Sequence, residues 1–283
     1  MSFVVASLAQ NDTLSAPRGG DTIRIGGMVI LKKGGYNEKN RISVTVGNSY
    51  HEKPSNVSTS SFLFDLGFSN WIDKTDYASA TANNYLVNRP GTANLLSATD
   101  FKLRPIKSVN FNIWFVMQRL NLIKHYLNLK YGLGLELNNY RFKQDLSLKE
   151  SGANPYDAAQ NINHYFIFRD STHFSKDKLA ADYITIPLML NVRTNPNYSN
   201  KGLSVSAGVS VGYLYSGRNK QKSSAFGKHK YHGDFDLQTW KFAYVAELGM
   251  GPVHLYGSYS PNSIFENGIK LMPYSVGLRF SNW

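Results

Sequence analysis

Apolar and small polar residues alternate along residues 203–216. Every odd position from Leu203 to Tyr215 is apolar, and the even positions are small, with Leu214 the exception. A period of two over this length predicts a β-strand with one apolar and one polar face. It exceeds the roughly 5–6 residues of a typical globular strand and fits the about 9–11 of a tilted membrane-spanning strand. Because a soluble sandwich strand alternates in the same way, the choice depends on whether the pattern recurs.

The alternation does recur, and the sequence predicts eight strands in all. Their apolar rows begin at Phe62, Val109, Leu127, Ile184, Leu203, Phe242, Val253 and Tyr274. Short connections near residues 121–124, 194–201 and 249–252 alternate with longer ones at 70–104, 143–180, 217–239 and 261–272. An even number of antiparallel strands, with short turns at one end and long loops at the other, is typical of outer-membrane β-barrels.

Charged residues lie on the polar faces of these strands. They are Asp65, Lys130, Glu136, Arg193, Lys241, Glu247 and Arg279. Because charges are costly in lipid, the polar faces should line the lumen and the apolar rows should face the membrane. A lipocalin-like soluble barrel also has eight strands, but its cavity is lined by apolar side chains. Aromatic residues near the row ends, Tyr213 and Trp240 among them, are typical of interfacial girdles.

We expect the lumen charges to form a structural ion-pair network. A paired-carboxylate catalytic site is the alternative, but basic residues share the inward face with each acid. Strand parity places Glu247 and Arg279 at similar depth on either side of the seventh strand, with Arg193 in the same layer. The sequence therefore predicts that Glu247 pairs with Arg279, and leaves Arg193 open as a third member. Since side chains about fill an eight-stranded interior, we expect a structural or interaction protein and not an open porin.

The chain is expected to have three parts. Residues 1–10 resemble the tail of a secretory signal, with an apolar stretch followed by small residues that suit cleavage. Residues 11–57 form a polar, glycine-rich appendage with strand-like pieces at 22–31 and 41–46. Residues 58–283 form the barrel.

Composition narrows the function classes. The chain contains no cysteine, which excludes disulfides, thiolate metal sites and thiol nucleophiles. The net charge is +12, but the basic residues do not concentrate on one helix or stripe and no recognition motif accompanies them, so nucleic acid is not an expected partner. Five basic residues fall in the 217–239 connection: Arg218, Lys220, Lys222, Lys228 and Lys230. They predict either a solvated loop or contact with lipopolysaccharide phosphates.

No pattern predicts a catalytic, cofactor-binding or metal site. His229 and His232 are three residues apart in a polar connection, where solvated side chains are the favoured interpretation. Residues 170–173 contain an acid, a serine and a histidine, which leaves a small outer-membrane lipid-modifying enzyme or hydrolase as the alternative function. That alternative requires His164 or His173 to meet a serine and a carboxylate at the outer rim.

Four short motifs resemble PorT-like outer-membrane β-barrel domains. Residues 183–190 (Tyr-Ile-Thr-Ile-Pro-Leu-Met-Leu) are similar to the Tyr-x-x-Ile-Pro-Leu-x-Leu strand of that family. Residues 131–136, 206–213 and 276–280 also look typical of it. The resemblance covers roughly residues 58–283. It implies an eight-stranded barrel of the OmpA/OmpX type in the outer membrane of a Gram-negative-type bacterium, with some members serving in a secretion machinery.

The partners implied are outer-membrane lipid and lipopolysaccharide, the outer-membrane assembly machinery during biogenesis, and an envelope or secretion-complex protein. The assembly machinery recognises barrels that end on an aromatic residue. Here Trp283 is out of phase with the last apolar row, whereas Phe280 is in phase and is expected to fill that role.

Overall fold

The computed structural model describes residues 21–25, 28–32, 42–46, 55–195 and 202–280. The chain divides into two compact units, Met1–Pro54 and Ser55–Trp283. In the first unit an antiparallel sheet has the order β1-β2-β3, formed by β1 Asp21–Ile25, β2 Met28–Lys32 and β3 Ile42–Val46. The single strand-like piece predicted at 22–31 is therefore two paired strands. The signal-like residues 1–10 lie outside the described residues.

The second unit is almost entirely β-structure. Its elements in chain order are β4 Val57–Asp73, α1 Tyr77–Ala82, β5 Leu86–Val87, a 3-10 helix Pro105–Lys107, β6 Val109–Ile123, β7 Leu127–Arg141, β8 Leu146–Lys149, β9 Gly152–Asn154, β10 Asp157–Ile162, β11 Phe166–Arg169, β12 Phe174–Arg193, β13 Leu203–Ser223, β14 Gly227–His232, β15 Trp240–Met250, β16 Val253–Tyr259 and β17 Leu271–Phe280. No α-helix in the described part of the chain has the length and apolar content to cross a membrane.

Eight strands of this unit close into a ring. The order is β4-β6-β7-β12-β13-β15-β16-β17, and β17 pairs with β4 to complete it. Every pairing in the ring is antiparallel. Closure leaves no unpaired edge, which is the condition for a sheet to exist in lipid. The predicted all-β fold, an eight-stranded antiparallel transmembrane barrel, is confirmed.

The outward face of the ring carries a lipid-facing belt of exposed apolar side chains. On β12 it comprises Ile184, Ile186, Leu188, Leu190 and Val192. Water would make so large an apolar surface an aggregation hazard, whereas lipid solvates it. The belt defines the membrane-spanning segments, which on β13 are residues 203–215. At its outer end the rings of Tyr213 and Trp240 meet edge-to-face with centroids 5.0 Å apart, as expected of an aromatic girdle.

A β-bulge exchanges the inward and outward faces of β13 at its outer end. The register with β12 shifts between Asp182 and Tyr183, which leaves Tyr215 as the extra residue. Odd-numbered residues of β13 face outward up to Tyr215, but beyond it the odd-numbered Asn219 is buried and the even-numbered Lys220 is the more exposed. One extra residue reverses the two faces of a strand. Beyond the membrane, β13 thus directs its basic residues outward.

The long connections and the outer ends of the strands form a compact cap, comprising residues 70–108, 139–182, 216–239 and 260–272. Its hydrophobic core includes Phe101, Leu146, Tyr165, Ile167, Leu179, Leu237, Phe265 and Leu271, all buried. The rings of Tyr165 and Phe265 stack at 5.4 Å with planes 4° apart. A small sheet of β5, β11 and β8 completes it. The long connections therefore form a folded structure over the outer end of the barrel.

The long connections predicted at 143–180 and 217–239 contain more strand than the sequence pattern predicts. Residues 174–180 belong to β12 and 217–223 belong to β13, and β14 occupies 227–232. The bulge at Tyr215 explains part of the error, because it interrupts the period of two on which the strand prediction depended.

Candidate functional site

Asp65 and Arg279 form a two-pronged ion pair inside the lumen. They are register partners on β4 and β17. Arg279 donates from Nε to Asp65 Oδ1 at 2.7 Å and from Nη2 to Oδ2 at 2.7 Å. Asp65 also accepts from Trp114 Nε1 at 2.7 Å and from Asn112 Nδ2 at 3.0 Å. Both charged residues are buried, and their hydrogen bonds offset the cost of removing them from water.

Glu247 extends this pair into a larger cluster. Its carboxylate accepts from Lys130 Nζ at 2.8 and 2.9 Å and from Arg279 Nη1 at 3.0 Å. His254 Nδ1 is hydrogen-bonded to the same carboxylate. Arg279 therefore bridges Asp65 and Glu247, and the cluster joins residues from β4, β7, β15, β16 and β17.

A second, smaller group lies around Glu136. Lys241 Nζ is ion-paired with Glu136, which also accepts from Asn138 Nδ2 at 3.1 Å and from Thr185 Oγ1 at 3.4 Å. Lys241 Nζ lies 5.5 Å from the centroid of the Tyr183 ring. The structure thus places six of the seven predicted lumen residues in two hydrogen-bonded groups.

Arg193 is the exception. Among the described residues it makes no ion pair, and it lines a cavity of about 10 Å³ with Arg119 and His254. Lys130 occupies the place beside Glu247 that the prediction left open for Arg193. Arg193 ends β12, so it lies nearer the inner mouth than the parity argument assumed.

Several neutral residues complete the network and were missed. Asn110 Nδ2 donates to Asn112 Oδ1 at 2.9 Å and to Asn138 Oδ1 at 3.0 Å, and Tyr256 donates to Asn110 Oδ1. The hydroxyl group of Tyr256 packs against the backbone of Gly67, where a Cβ would lie 2.5 Å from the hydroxyl oxygen. All of these residues lie on the polar faces of their strands, so the alternation could have identified them.

Seven cations form a second feature, the basic face. It lies on the outward side of β7, β12, β13 and β14 beyond the bulge and consists of Arg141, Lys176, Lys178, Lys220, Lys222, Lys228 and Lys230. One cross-strand row runs from Arg141 through Lys178 and Lys220 to Lys230. A second runs from Lys176 through Lys222 to Lys228.

Four of the five predicted basic contact residues belong to this face. The fifth, Arg218, is ion-paired with Asp182 at its lower edge. No carboxylate among the described residues lies within ion-pair distance of the seven cations. Lys178 donates instead to Asn139 Oδ1, and Arg141 Nη2 donates to Ser175 O at 2.6 Å. The sequence could not bring Arg141, Lys176 and Lys178 to this face, because two of them fell in a predicted loop.

Crowding of like charges is visible in the lysines outside the membrane belt. Burial, reinforced by Lys220, Lys176, Arg218 and Arg141, lowers the pKa of Lys178 to about 8. Burial and neighbouring cations lower the pKa of Lys220 as well. A bound anion would offset the repulsion between these neighbouring cations.

The histidines do not assemble a triad. His173 Nδ1 lies 2.9 Å from Asp145 Oδ2 on the surface, and His164 Nδ1 lies 2.9 Å from Tyr165 O. Neither ring meets a serine hydroxyl of the described chain. Within the same residues, no three His, Asp or Glu side chains are grouped to hold a metal ion.

Comparison with known proteins identifies the family. The family model described as "Outer membrane protein beta-barrel domain" matches residues 39–262. The chain is a member of this family. It is therefore an outer-membrane protein of a Gram-negative bacterium.

Among solved structures, this barrel is similar to Ail, the attachment invasion locus protein of Yersinia pestis. The identity is 13% and the TM-score 0.29, over 78% of this chain and 98% of Ail. A second structure, Ail in complex with the heparin analogue sucrose octasulfate, matches with 14% identity and a TM-score of 0.29 over the same shares of the two chains. No curated protein matches the chain.

Proposed function

We propose that the protein is a closed, non-enzymatic barrel that acts as an interaction component of the outer membrane, and that its basic face binds the phosphates of lipopolysaccharide. The observation that carries the proposal is the double row of cations on the outward wall of β7, β12, β13 and β14. Closure of the lumen directs function to the surfaces of the barrel.

Two layers support a closed lumen. Within the membrane the ion-pair groups fill the interior, and the cavities around Arg193 and Trp114 measure about 10 and 30 Å³. Outside the membrane the hydrophobic core of the cap covers the opening. A large, steady conductance in a planar-bilayer recording would contradict closure.

The position of the basic face suits the outer leaflet. On β13 it begins at Lys220, five residues beyond Tyr215, one of the exposed girdle residues that mark the edge of the lipid. Phosphate groups of lipopolysaccharide lie at that level, next to the outward wall. Lysine and arginine are the residues that pair with phosphate most strongly.

The energetics of the two rows also favour an anionic ligand. Like charges directly opposite one another on neighbouring strands destabilise a sheet. Lys220 lies between Lys178 and Lys230, and Lys222 between Lys176 and Lys228, so each of these central lysines faces a cation on both sides. An anion bridging the rows would convert this repulsion into attraction.

The test compares two variants that each lose four charges. In the first, Lys220, Lys222, Lys228 and Lys230 are replaced by Gln. In the control, the exposed cap residues Lys102, Lys107, Lys143 and Lys270 are replaced by Gln. Lipopolysaccharide retained by the purified barrel is measured by mass spectrometry after washing at increasing salt. We expect a several-fold loss in the first variant alone.

Dephosphorylated lipopolysaccharide identifies the group that is bound. The native barrel should retain it no better than the first variant retains the intact lipid. Equal retention of lipopolysaccharide by the native protein and both variants would contradict the proposal and indicate that the basic face is only a solvated surface. Both variants should fold, because exposed charges contribute little to stability.

The enzymatic alternative rests on the surface pair of His173 and Asp145. Replacing His173 with Gln tests it: loss of a lipid-hydrolysing or lipid-modifying activity in the purified barrel would favour an enzyme. We expect no such activity, since no serine hydroxyl of the described residues is hydrogen-bonded to the His173 ring.

A protein partner within an envelope or secretion assembly remains the finer proposal. It rests on the resemblance of residues 183–190 to PorT-like barrels, and a closed barrel with a folded cap offers surfaces for docking. Pull-down from detergent-solubilised outer membranes, with a cap-deleted barrel as control, tests it.

A further inference from the structure

A cavity of about 620 Å³ opens within the cap. Ser147 and Lys149 of β8 and Phe168 of β11 line one side, and Gln221 of β13 and Tyr231 of β14 line the other. Cavities that bind small molecules typically measure roughly 300–1,000 Å³. The proposed contact with lipopolysaccharide does not use this cavity, so its role is a separate question.

One wall of the cavity is aromatic. Tyr231 and His229 are the register partners of Asn219 and Gln221, whose side chains are buried on the inward side of the hairpin. Tyr231 is nevertheless 50% exposed and Phe226, at the hairpin tip, 67% exposed. The rings of His229 and Tyr231 stack with centroids 6.2 Å apart and planes 16° apart. A flat aromatic surface is therefore open on the side of the hairpin opposite the basic face.

The polar lining is held in fixed orientations. Ser147 Oγ donates to Asp170 Oδ2 at 2.6 Å and accepts from Gln221 Nε2 at 3.0 Å. Gln221 Nε2 also donates to Leu146 O at 2.9 Å, and Thr172 N donates to Asp170 Oδ1 at 2.8 Å. No described group donates to Gln221 Oε1. This carbonyl oxygen and the carboxylate of Asp170 are oriented acceptors for a hydroxyl group.

We infer that this cavity binds a saccharide. A sugar ring has a C–H face that packs on an aromatic ring and hydroxyl groups that require directional hydrogen bonds, and the cavity provides both surfaces. The lining carries charges of both signs: Lys149 is basic, whereas Glu150 and Asp170 are acidic. Lys149 Nζ also lies 5.6 Å from the centroid of the Phe168 ring. The lining therefore selects an uncharged hexose unit and not the polyanion attracted by the basic face.

Saturation-transfer difference NMR on the full chain tests the inference. The protein is held in a zwitterionic detergent without a sugar headgroup, and glucose, galactose, mannose and N-acetylglucosamine are the probes. We expect transfer to the ring C–H protons of at least one sugar. In Tyr231→Ala that transfer should fall about five- to ten-fold, the effect of losing an aromatic wall.

The matched control is Tyr126→Ala. Tyr126 is also 50% exposed but lies in a short turn at the opposite end of the barrel. It should leave the transfer unchanged. Both tyrosines are half-exposed, so both variants should fold, and heat-modifiable gel mobility verifies this. Absence of transfer to all four sugars, undiminished transfer in Tyr231→Ala, or an equal loss in the two variants would overturn the inference.

Discussion

The membrane-embedded barrel and the cap are built from the same strands by opposite rules. In the barrel the inward faces carry ion pairs and the outward faces carry apolar residues; in the cap the inward faces carry the hydrophobic core and the outward faces carry lysines. On β12 the residue type on the outward face changes along the strand, from Ile184 in the barrel to Lys178 in the cap. On β13 the bulge at Tyr215 reverses the faces instead. The solvent outside the strand, lipid or water, determines which rule applies.

The largest expected effect comes from breaking the lumen cluster. Glu247→Gln gives buried Lys130 a neutral partner and leaves Arg279 paired with Asp65 alone. Breaking a buried ion pair costs about 3–5 kcal/mol. The matched change Glu150→Gln in the exposed part of the cap should cost under about 1 kcal/mol. Denaturant unfolding of the barrel in lipid vesicles measures both. Equal losses would mean that lumen water screens the cluster.

The hydrophobic side of the comparison is tested with leucines. Leu179→Ala empties space in the closely packed cap and should lower the free energy of unfolding by about 2–5 kcal/mol. Leu255→Ala removes the same atoms from a side chain 48% exposed on the lipid-facing belt, where acyl chains fill the space. Its cost should stay under about 1.5 kcal/mol, the lost transfer term alone. A similar loss at both sites would show that the cap core is loosely packed.

The two regions also differ in how they treat a buried carboxylate. Among the described residues, Asp177 of the cap has no cationic partner: it accepts from Leu146 N at 3.0 Å and from Asn219 Nδ2 at 3.3 Å. Burial raises the pKa of Asp177 to about 7, and these hydrogen bonds oppose the shift only partly. The folded state therefore binds a proton more tightly than the unfolded chain, whose carboxyl pKa is roughly 4.

The sign of the pH dependence follows. The proton on Asp177 contributes its full stabilisation below pH about 4. This contribution to the free energy of unfolding falls by about 1.4 kcal/mol per pH unit and is lost as the pH rises through 7. Asp177→Asn should remove this dependence and stabilise the protein at pH 8. The new amide can also donate to Asn219 Oδ1, which has no hydrogen-bond partner among the described residues, once the Asn219 amide flips. Unfolding at pH 5 and pH 8 measures the effect, and exposed Asp157→Asn is the control. An unchanged slope would contradict the raised pKa.

The barrel could be predicted from the sequence because alternation is a local property. Each of the eight rows contains enough residues to define its own inward and outward face, and lipid outside the barrel makes the contrast strong. The same parity places Glu247 and Arg279 on the inward face. It does not give the register of one strand against its neighbour, so it could not distinguish Lys130 from Arg193 as the neighbour of Glu247.

The cap and its cavity could not be predicted in this way. The core residues Phe101, Leu146, Tyr165 and Phe265 come from four separate stretches of irregular sequence, and only tertiary packing brings them together. The extension of β13 was hidden by one extra residue, Tyr215, which shifts every later position to the other face. Alternation therefore cannot predict structure that depends on contacts between distant stretches of the chain.

The smallest expected effect sharpens the assignment of the basic face. Arg141, Lys176, Arg218 and Lys220 surround Lys178, and burial together with these cations lowers its pKa to about 8. Lys178 is therefore charged at pH 7 and largely neutral at pH 9, and loss of one cation of seven should weaken lipopolysaccharide retention about two- to five-fold. Lys178→Arg keeps its charge across this range, since arginine titrates well above pH 9, and should make retention nearly flat between the two values. Lys178→Gln should retain lipopolysaccharide weakly at both pH values. If retention by Lys178→Arg falls as steeply as that of the native barrel, the proton is lost elsewhere on the face, and Lys220, whose pKa is lowered by the same causes, becomes the residue to replace next.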